Sequence, residues 1–119
     1  MKHIFVKASI TMLAAGAIAG CRTNNPDLYQ WGSYQPQVYQ HLKGESPNEQ
    51  IATLEKDLQR MNAAGKKAPP GFHAHLGMLY SMVGRNDLVA AEFQEEKRLF
   101  PESTIYMDRL LATMSKGSN

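Results

Sequence analysis

Phe72-His73-Ala74-His75-Leu76-Gly77-Met78-Leu79-Tyr80-Ser81-Met82-Val83-Gly84 is followed by a second run that closes on Arg98-Leu99-Phe100-Pro101. Phe72, Leu76, Leu79, Tyr80 and Val83 recur at spacings of three, four and one, which places them on the apolar side of a helix expected from near Pro70 to Gly84. Leu88, Ala91, Phe93, Leu99 and Phe100 supply the apolar surface of a second helix, expected from about Asp87 to Phe100 with Asn86 or Asp87 as its cap. Gly84 permits a left-handed turn between the two, and Pro101 cannot continue the second. A helix pair joined by a tight turn is therefore the unit on which the rest is built.

The flanks are helical as well. Ser46-Pro47-Asn48-Glu49 sets serine, proline and glutamate at the cap, first and third positions of a helix start, a reciprocal capping box. Ile51, Leu54, Leu58 and Met61 then form one stripe, and Gly65 with Pro69-Pro70-Gly71 ends the helix after about Ala64. Pro36 fits the first turn of a short helix running to about Lys43. After Pro101 a last helix is expected over roughly Glu102 to Ser115, with Ile105, Tyr106, Leu110 and Leu111 inward. No strand-like alternation of any length occurs in the chain after Gly20, so the fold class is all-α.

Leu76-Gly77, Tyr80, Gly84, Phe93 and Pro101 match the order and intervals of a tetratricopeptide repeat, and the segment resembles one such unit. The resemblance implies that Gly77 lets the facing helix approach closely. His73, Asn86, Val89 and Glu96 depart from the pattern, and Glu96, if turned toward another helix, needs a partner because an unpaired buried carboxylate is costly. Only one repeat matches, so a compact TPR-like domain of about five helices is expected in place of an open array.

The N-terminus carries an address. Lys2 and Lys7 precede a small, apolar run from Ala8 to Gly20, in the order of an export signal. Thirteen helical residues would reach roughly 20 Å, too short for a hydrocarbon core of about 30 Å. Ile18-Ala19-Gly20-Cys21 resembles the lipobox of bacterial lipoprotein precursors, which implies thioether lipidation of Cys21 and cleavage before it. That also accounts for the single cysteine of the chain, which has no intramolecular disulfide partner. Arg22 stands where an aspartate would resemble an inner-membrane retention signal, so the expected location is the outer membrane, with the domain facing the periplasm. The expected division is signal peptide 1–20, lipidated tether 21–27, helical domain 28–115 and disordered tail 116–119.

Charge narrows the partners. Lys2 and Lys7 account for two of the 13 Lys and Arg residues, leaving 11 basic against 11 acidic residues after the signal. That balance offers no electrostatic footprint for nucleic acid and no polybasic patch for a membrane surface. Attachment is expected from the lipid alone.

Chemistry is sparse. His73 and His75 are two apart on a helix and point about 200° from one another, so they cannot chelate one ion; His73 is expected to replace a packing aromatic and His75 to lie at the surface or at a cap. Glu92, Glu95 and Glu96 read as a solvated charged face beside Lys97 and Arg98. No phosphate loop, nucleophile elbow or paired metal ligands occur, so no catalytic residue, metal or cofactor is expected. Tyr29, Trp31, Tyr34 and Tyr39 crowd eleven residues, and they either complete the core or anchor a partner. Trp31 and Tyr34, then the groove of the helices holding Tyr80 and Phe93, are the candidate partner-binding positions. Met61, Met78, Met82, Met107 and Met114 offer adaptable apolar lining or core filler.

Leu28-Tyr29-Gln30-Trp31-Gly32-Ser33-Tyr34, Pro69 to Gly77 and Glu92 to Ser103 together resemble an uncharacterised family of small bacterial lipoproteins. The family's genes commonly sit beside one for a lipoprotein similar to the curli secretion channel. The resemblance implies an envelope role with such a lipoprotein as a candidate partner, and supplies no catalytic residues. The expected function is a non-enzymatic interaction or assembly module. Binding of a peptide, apolar ligand or peptidoglycan fragment is the alternative, and a cell-wall or lipid hydrolase is a third reading without residues to carry it.

Overall fold

The computed structural model describes residues 28–117. The expected signal peptide, the tether, Cys21 and the Ile18-Ala19-Gly20 lipobox lie outside the described residues, as do 118 and 119. Among the described residues there are five α-helices and no strand: α1 Tyr34–Leu42, α2 Pro47–Ala63, α3 Phe72–Met82, α4 Asn86–Leu99 and α5 Thr104–Gly117, with one 3-10 turn at Pro101–Ser103 before α5. The fold is all-α, as the periodicity requires. No described helix is long and apolar enough to cross a membrane.

Each helix packs mainly on its neighbour in the chain, and the α3–α4 contact is the most extensive. Its reason is Gly77. A Cβ built there would lie 2.6 Å from Cε1 of Phe93, so only a residue without a side chain lets the Phe93 ring press against the α3 backbone. Gly84 takes φ of 75° in the turn between them, a conformation that L side chains rarely adopt. Ile51, Leu54 and Met61 of α2, Phe72, Leu76 and Leu79 of α3, Val89 and Phe93 of α4 and Met107 of α5 form one continuous core.

Helix ends differ from the sequence reading in instructive ways. Ser46 is the residue before α2, yet its side chain makes no capping hydrogen bond. The Gln50 side-chain amide instead donates to the Glu45 carbonyl at 3.0 Å, so the expected capping box is not formed. Neither Asn86 nor Asp87 caps α4, whose preceding residue is Arg85. The last helix runs to Gly117, which makes 116 and 117 helical and not part of a tail.

The inward face of α5 is also turned. Ile105 and Tyr106 are 78% and 61% exposed, and Met107 is buried with Leu110, Leu111 and Met114 packed on the core. Residues 107, 110, 111 and 114 recur at three, one and three, a better helical stripe than one containing 105 and 106. Lys97 of α4 and Asp108 of α5 form an ion pair compatible with this register.

Candidate functional site

The departures from the repeat pattern are where the polar interior is built. Glu96 is 3% exposed, and its carboxylate accepts the Gly71 N–H at 2.7 Å and the Ala74 N–H at 3.3 Å. It thus caps the N-terminus of α3 from α4, two donors that no helical carbonyl satisfies meeting a negative charge at the positive end of the dipole. The expected solvated acidic face is corrected at this position: a charge turned inward found amide partners. Glu92 is likewise engaged, accepting a hydrogen bond from Nδ1 of His73 at 2.6 Å. Glu95 forms a fork with Arg98, Nε to Oε2 at 2.7 Å and Nη2 to Oε1 at 2.6 Å, and that hydrogen bond holds its pKa below the usual carboxylate range.

A second carboxylate holds the residue just before α1. Asp57 of α2 accepts the Ser33 N–H at 2.6 Å and the Ser33 hydroxyl through the same oxygen, while Arg60 binds its other oxygen at 3.3 Å. Nothing in the local sequence pattern assigns Asp57 a role. Its position one residue before Leu58 placed it beside the core stripe without revealing that another chain segment would close over it.

The four residues proposed for partner contact divide. Tyr80 is 4% and Phe93 2% exposed, and both belong to the core. Their burial corrects their assignment to a contact surface, except that Phe93 reaches the floor of a groove. Tyr80 donates its hydroxyl to Glu55 Oε1 at 2.6 Å, and burial with that bond raises its pKa. Tyr34 is half-buried: its ring lies 5.6 Å from Phe72 and 5.9 Å from His75, and its hydroxyl sits where a Cβ on Gly71 would be 2.6 Å away. Burial and the Glu96 carboxylate raise the Tyr34 pKa. Trp31 stacks on Tyr34 at 6.3 Å and stays 44% exposed.

The aromatic segment therefore does both things proposed for it. Tyr29 meets Phe100 edge-on at 5.8 Å and Tyr34 packs against the core, while Trp31 and Tyr39 face outward. Beside Tyr34 opens a predominantly apolar groove of about 390 Å³ between α3 and α5, lined by Met78, Phe93, Tyr106, Leu110 and Met114 with His75 in its wall. Of the methionines, Met61 and Met107 are core, Met78 and Met114 line the groove, and Met82 is exposed.

His75 is the largest surprise. It is 8% exposed, not a surface or capping residue, and its Nε2 is buried without a hydrogen-bond partner. Burial and the His41 ring 5.5 Å away lower its pKa to about 4, so it is neutral at physiological pH. Its spacing of three from Phe72 carried the signal: the pair shares one helix face. No group of three or more potential metal ligands occurs among the described residues.

No curated protein and no solved structure matches the chain. Residues 28–110 match a family described as Domain of unknown function (DUF4810), spanning the helical domain from the aromatic segment to the middle of α5. The chain belongs to the DUF4810 family.

Proposed function

We propose that the protein is an outer-membrane lipoprotein, anchored through Cys21, whose TPR-like helical domain is a non-enzymatic docking module for another envelope protein. The observation that carries this reading is the apolar surface left uncovered on one small domain. Trp31, Tyr106 and Ile105 are exposed, and Tyr106 borders the groove that runs from Tyr34 to Met114. Aromatic residues on a concave, preformed surface supply contact area at low entropic cost. Packing of helices on chain neighbours, with Phe93 seated on Gly77, supports the repeat-like reading. A lipoprotein similar to the curli secretion channel is the partner to test first.

Affinity purification of the full lipoprotein from membranes tests address and partnership together, with Cys21→Ala and Tyr106→Glu as controls. The expected result is a specific co-purifying envelope protein, lost in Tyr106→Glu while helicity is retained. Recovery of monomer alone, at native expression and after cross-linking, would sink the reading. A second reading rests on the groove itself, whose volume lies within the range of small-molecule sites. In that reading it holds a peptide, an apolar ligand or a peptidoglycan fragment, and such a ligand would co-purify with the domain in place of a protein.

A further inference from the structure

Met82 apart, the exposed large apolar side chains among the described residues fall into two groups. Ile105 and Tyr106 stand on α5, Tyr106 at the groove, with Glu102, Asp108 and Arg109 close by in the chain. Leu28, Trp31, Tyr39 and Leu42 belong to α1 and the segment leading into it. Their setting is different: residues 28–44 contain no carboxylate side chain, and Lys43 is their one Lys or Arg. Tyr34 and His41 of α1 turn toward His75. Tyr39 and Leu42, three apart, share the outward stripe of this helix, which has no buried residue. Lys43 follows Tyr39 by four residues, its Nζ 5.1 Å from the ring centroid.

This face is also the part of the domain that follows the tether. From Cys21 to Leu28 a fully extended chain spans at most about 25 Å, whereas a domain of this size is about 30 Å across. On the reading that Cys21 is lipidated, on which this inference rests, the end of the domain bearing Leu28 is kept beside the headgroups and cannot turn to the far side. We infer that the outer face of α1, with Leu28 and Trp31 ahead of it, docks on the bilayer interface, so that the domain touches the membrane through side chains as well as through its anchor.

The residue types suit that occupant. Tyr and Trp favour the level of the headgroups, where the ring meets apolar chains and the polar edge stays wet. Leu28 and Leu42 add apolar area, and a lysine such as Lys43 keeps its ammonium at the phosphates while its stem stays apolar. A carboxylate would be costly at that depth, and the segment has none. A second copy or a soluble protein would also accept an apolar face, but the tether singles out the bilayer because it holds that surface permanently within reach. With 11 basic against 11 acidic residues after the signal, no net charge draws the domain toward anionic lipid. The contact is therefore apolar and indifferent to headgroup charge and to salt.

Trp31 is the single tryptophan of the chain, and it reports on this contact directly. It also stacks on Tyr34, which lines the groove, so it is left unchanged. The full lipoprotein is reconstituted into phosphatidylcholine vesicles, with and without lipid brominated near the headgroup end of its acyl chains, and its anchoring is checked by flotation. The expected result is flotation with Trp31 emission shifted to the blue and quenched by the brominated lipid, unchanged by salt or by added phosphatidylglycerol. Tyr39→Glu with Leu42→Glu should weaken docking about tenfold for each side chain withdrawn, so that quenching is largely lost while flotation and circular dichroism are kept. Ile105→Glu with Tyr106→Glu should leave the quenching as it is. Flotation without quenching of Trp31 would overturn the docked face and leave the anchor standing, whereas absence of flotation would sink both. Equal quenching loss in the two double variants would refute α1 as the contact. A blue shift that grows with protein concentration and ignores the brominated lipid would refute the bilayer in favour of a second copy.

Discussion

The α3–α4 pair and the α1 segment are both closed by a carboxylate from a neighbouring helix, but the closure means something different in each. Glu96 caps α3, a helix with seven buried residues, whereas Asp57 holds Ser33 at the entry to α1, a helix with none. In the first region the cap satisfies amides that burial would otherwise strand. In the second it is a principal attachment, helped by Tyr34 on Phe72 and by the Gln30 N–H donating to the Lys67 carbonyl at 2.9 Å. Burial thus makes a polar contact indispensable, and its lack makes a polar contact a hinge pin.

The comparison can be broken most forcefully at Glu96. Glu96→Ala strands the Gly71 and Ala74 amides and should cost about 3 to 4 kcal/mol, since bonds to a charged group are worth about 1.5–3 kcal/mol each and partly compensate one another. Urea denaturation checks this, and a loss below about 1 kcal/mol would mean that water replaces the cap.

Protonation probes the joint between the two regions, because His75 of α3 touches Tyr34 and His41 of α1. The folded-state pKa of about 4 lies below the ordinary value near 6.5, so the unfolded chain takes up the proton first. Stability should therefore fall as pH drops from about 6.5 to 4 and flatten below, by up to about 3 kcal/mol at about 1.4 kcal/mol per pH unit. His75→Gln should remove this slope. Equal slopes in the two proteins would assign the acid sensitivity to other groups.

Gly77→Ala sharpens the account of the core pair. The added Cβ meets the Phe93 ring at 2.6 Å, and displacement of a packed ring costs about 1–3 kcal/mol. Thermal melting measures it, and an unchanged midpoint would show that the ring can give way freely. Asp57→Ala should cost only about 1 kcal/mol globally, in the range of a lost helix cap. Its mark is local: amides of α1 lose hydrogen-exchange protection while those of α3 keep theirs. Uniform loss would mean that α1 folds with the core as one unit. Trp31→Ala has the smallest expected effect on stability, about 0.5 kcal/mol for a half-exposed ring stacked on Tyr34, with co-purification of a partner lost.

Much of the fold is legible in local spacing. The stripe of α2, the apolar face of α3 and the stops at Gly65 and Gly84 follow from residues within one or two turns of each other, and the structure keeps them. The candidate site is less legible. Glu96 was identified as a charge in want of a partner, but the amides of Gly71 and Ala74 lie more than twenty residues away and no periodicity points to them. The Ser46–Glu49 capping box fails for the complementary reason: the local pattern is present, and Gln50, buried between α2 and the α1 side of the domain, takes over the connection to Glu45. Tyr80 and Phe93 carry the helix-pair register, which is why they are core and not surface.

The sequence by itself determined the all-α class, the helix pair around Gly77 and the charge balance, because each depends on composition or on neighbours along one helix. Tertiary structure alone decided which polar side chains became interior. Asp57, His73, His75 and Glu96 are buried because helices remote in sequence closed over them. Asp57, His73 and Glu96 are held there by partners delivered from other segments of the chain, and His75, whose Nε2 has none, is tolerated because it is neutral; delivery across the fold leaves no trace in local spacing.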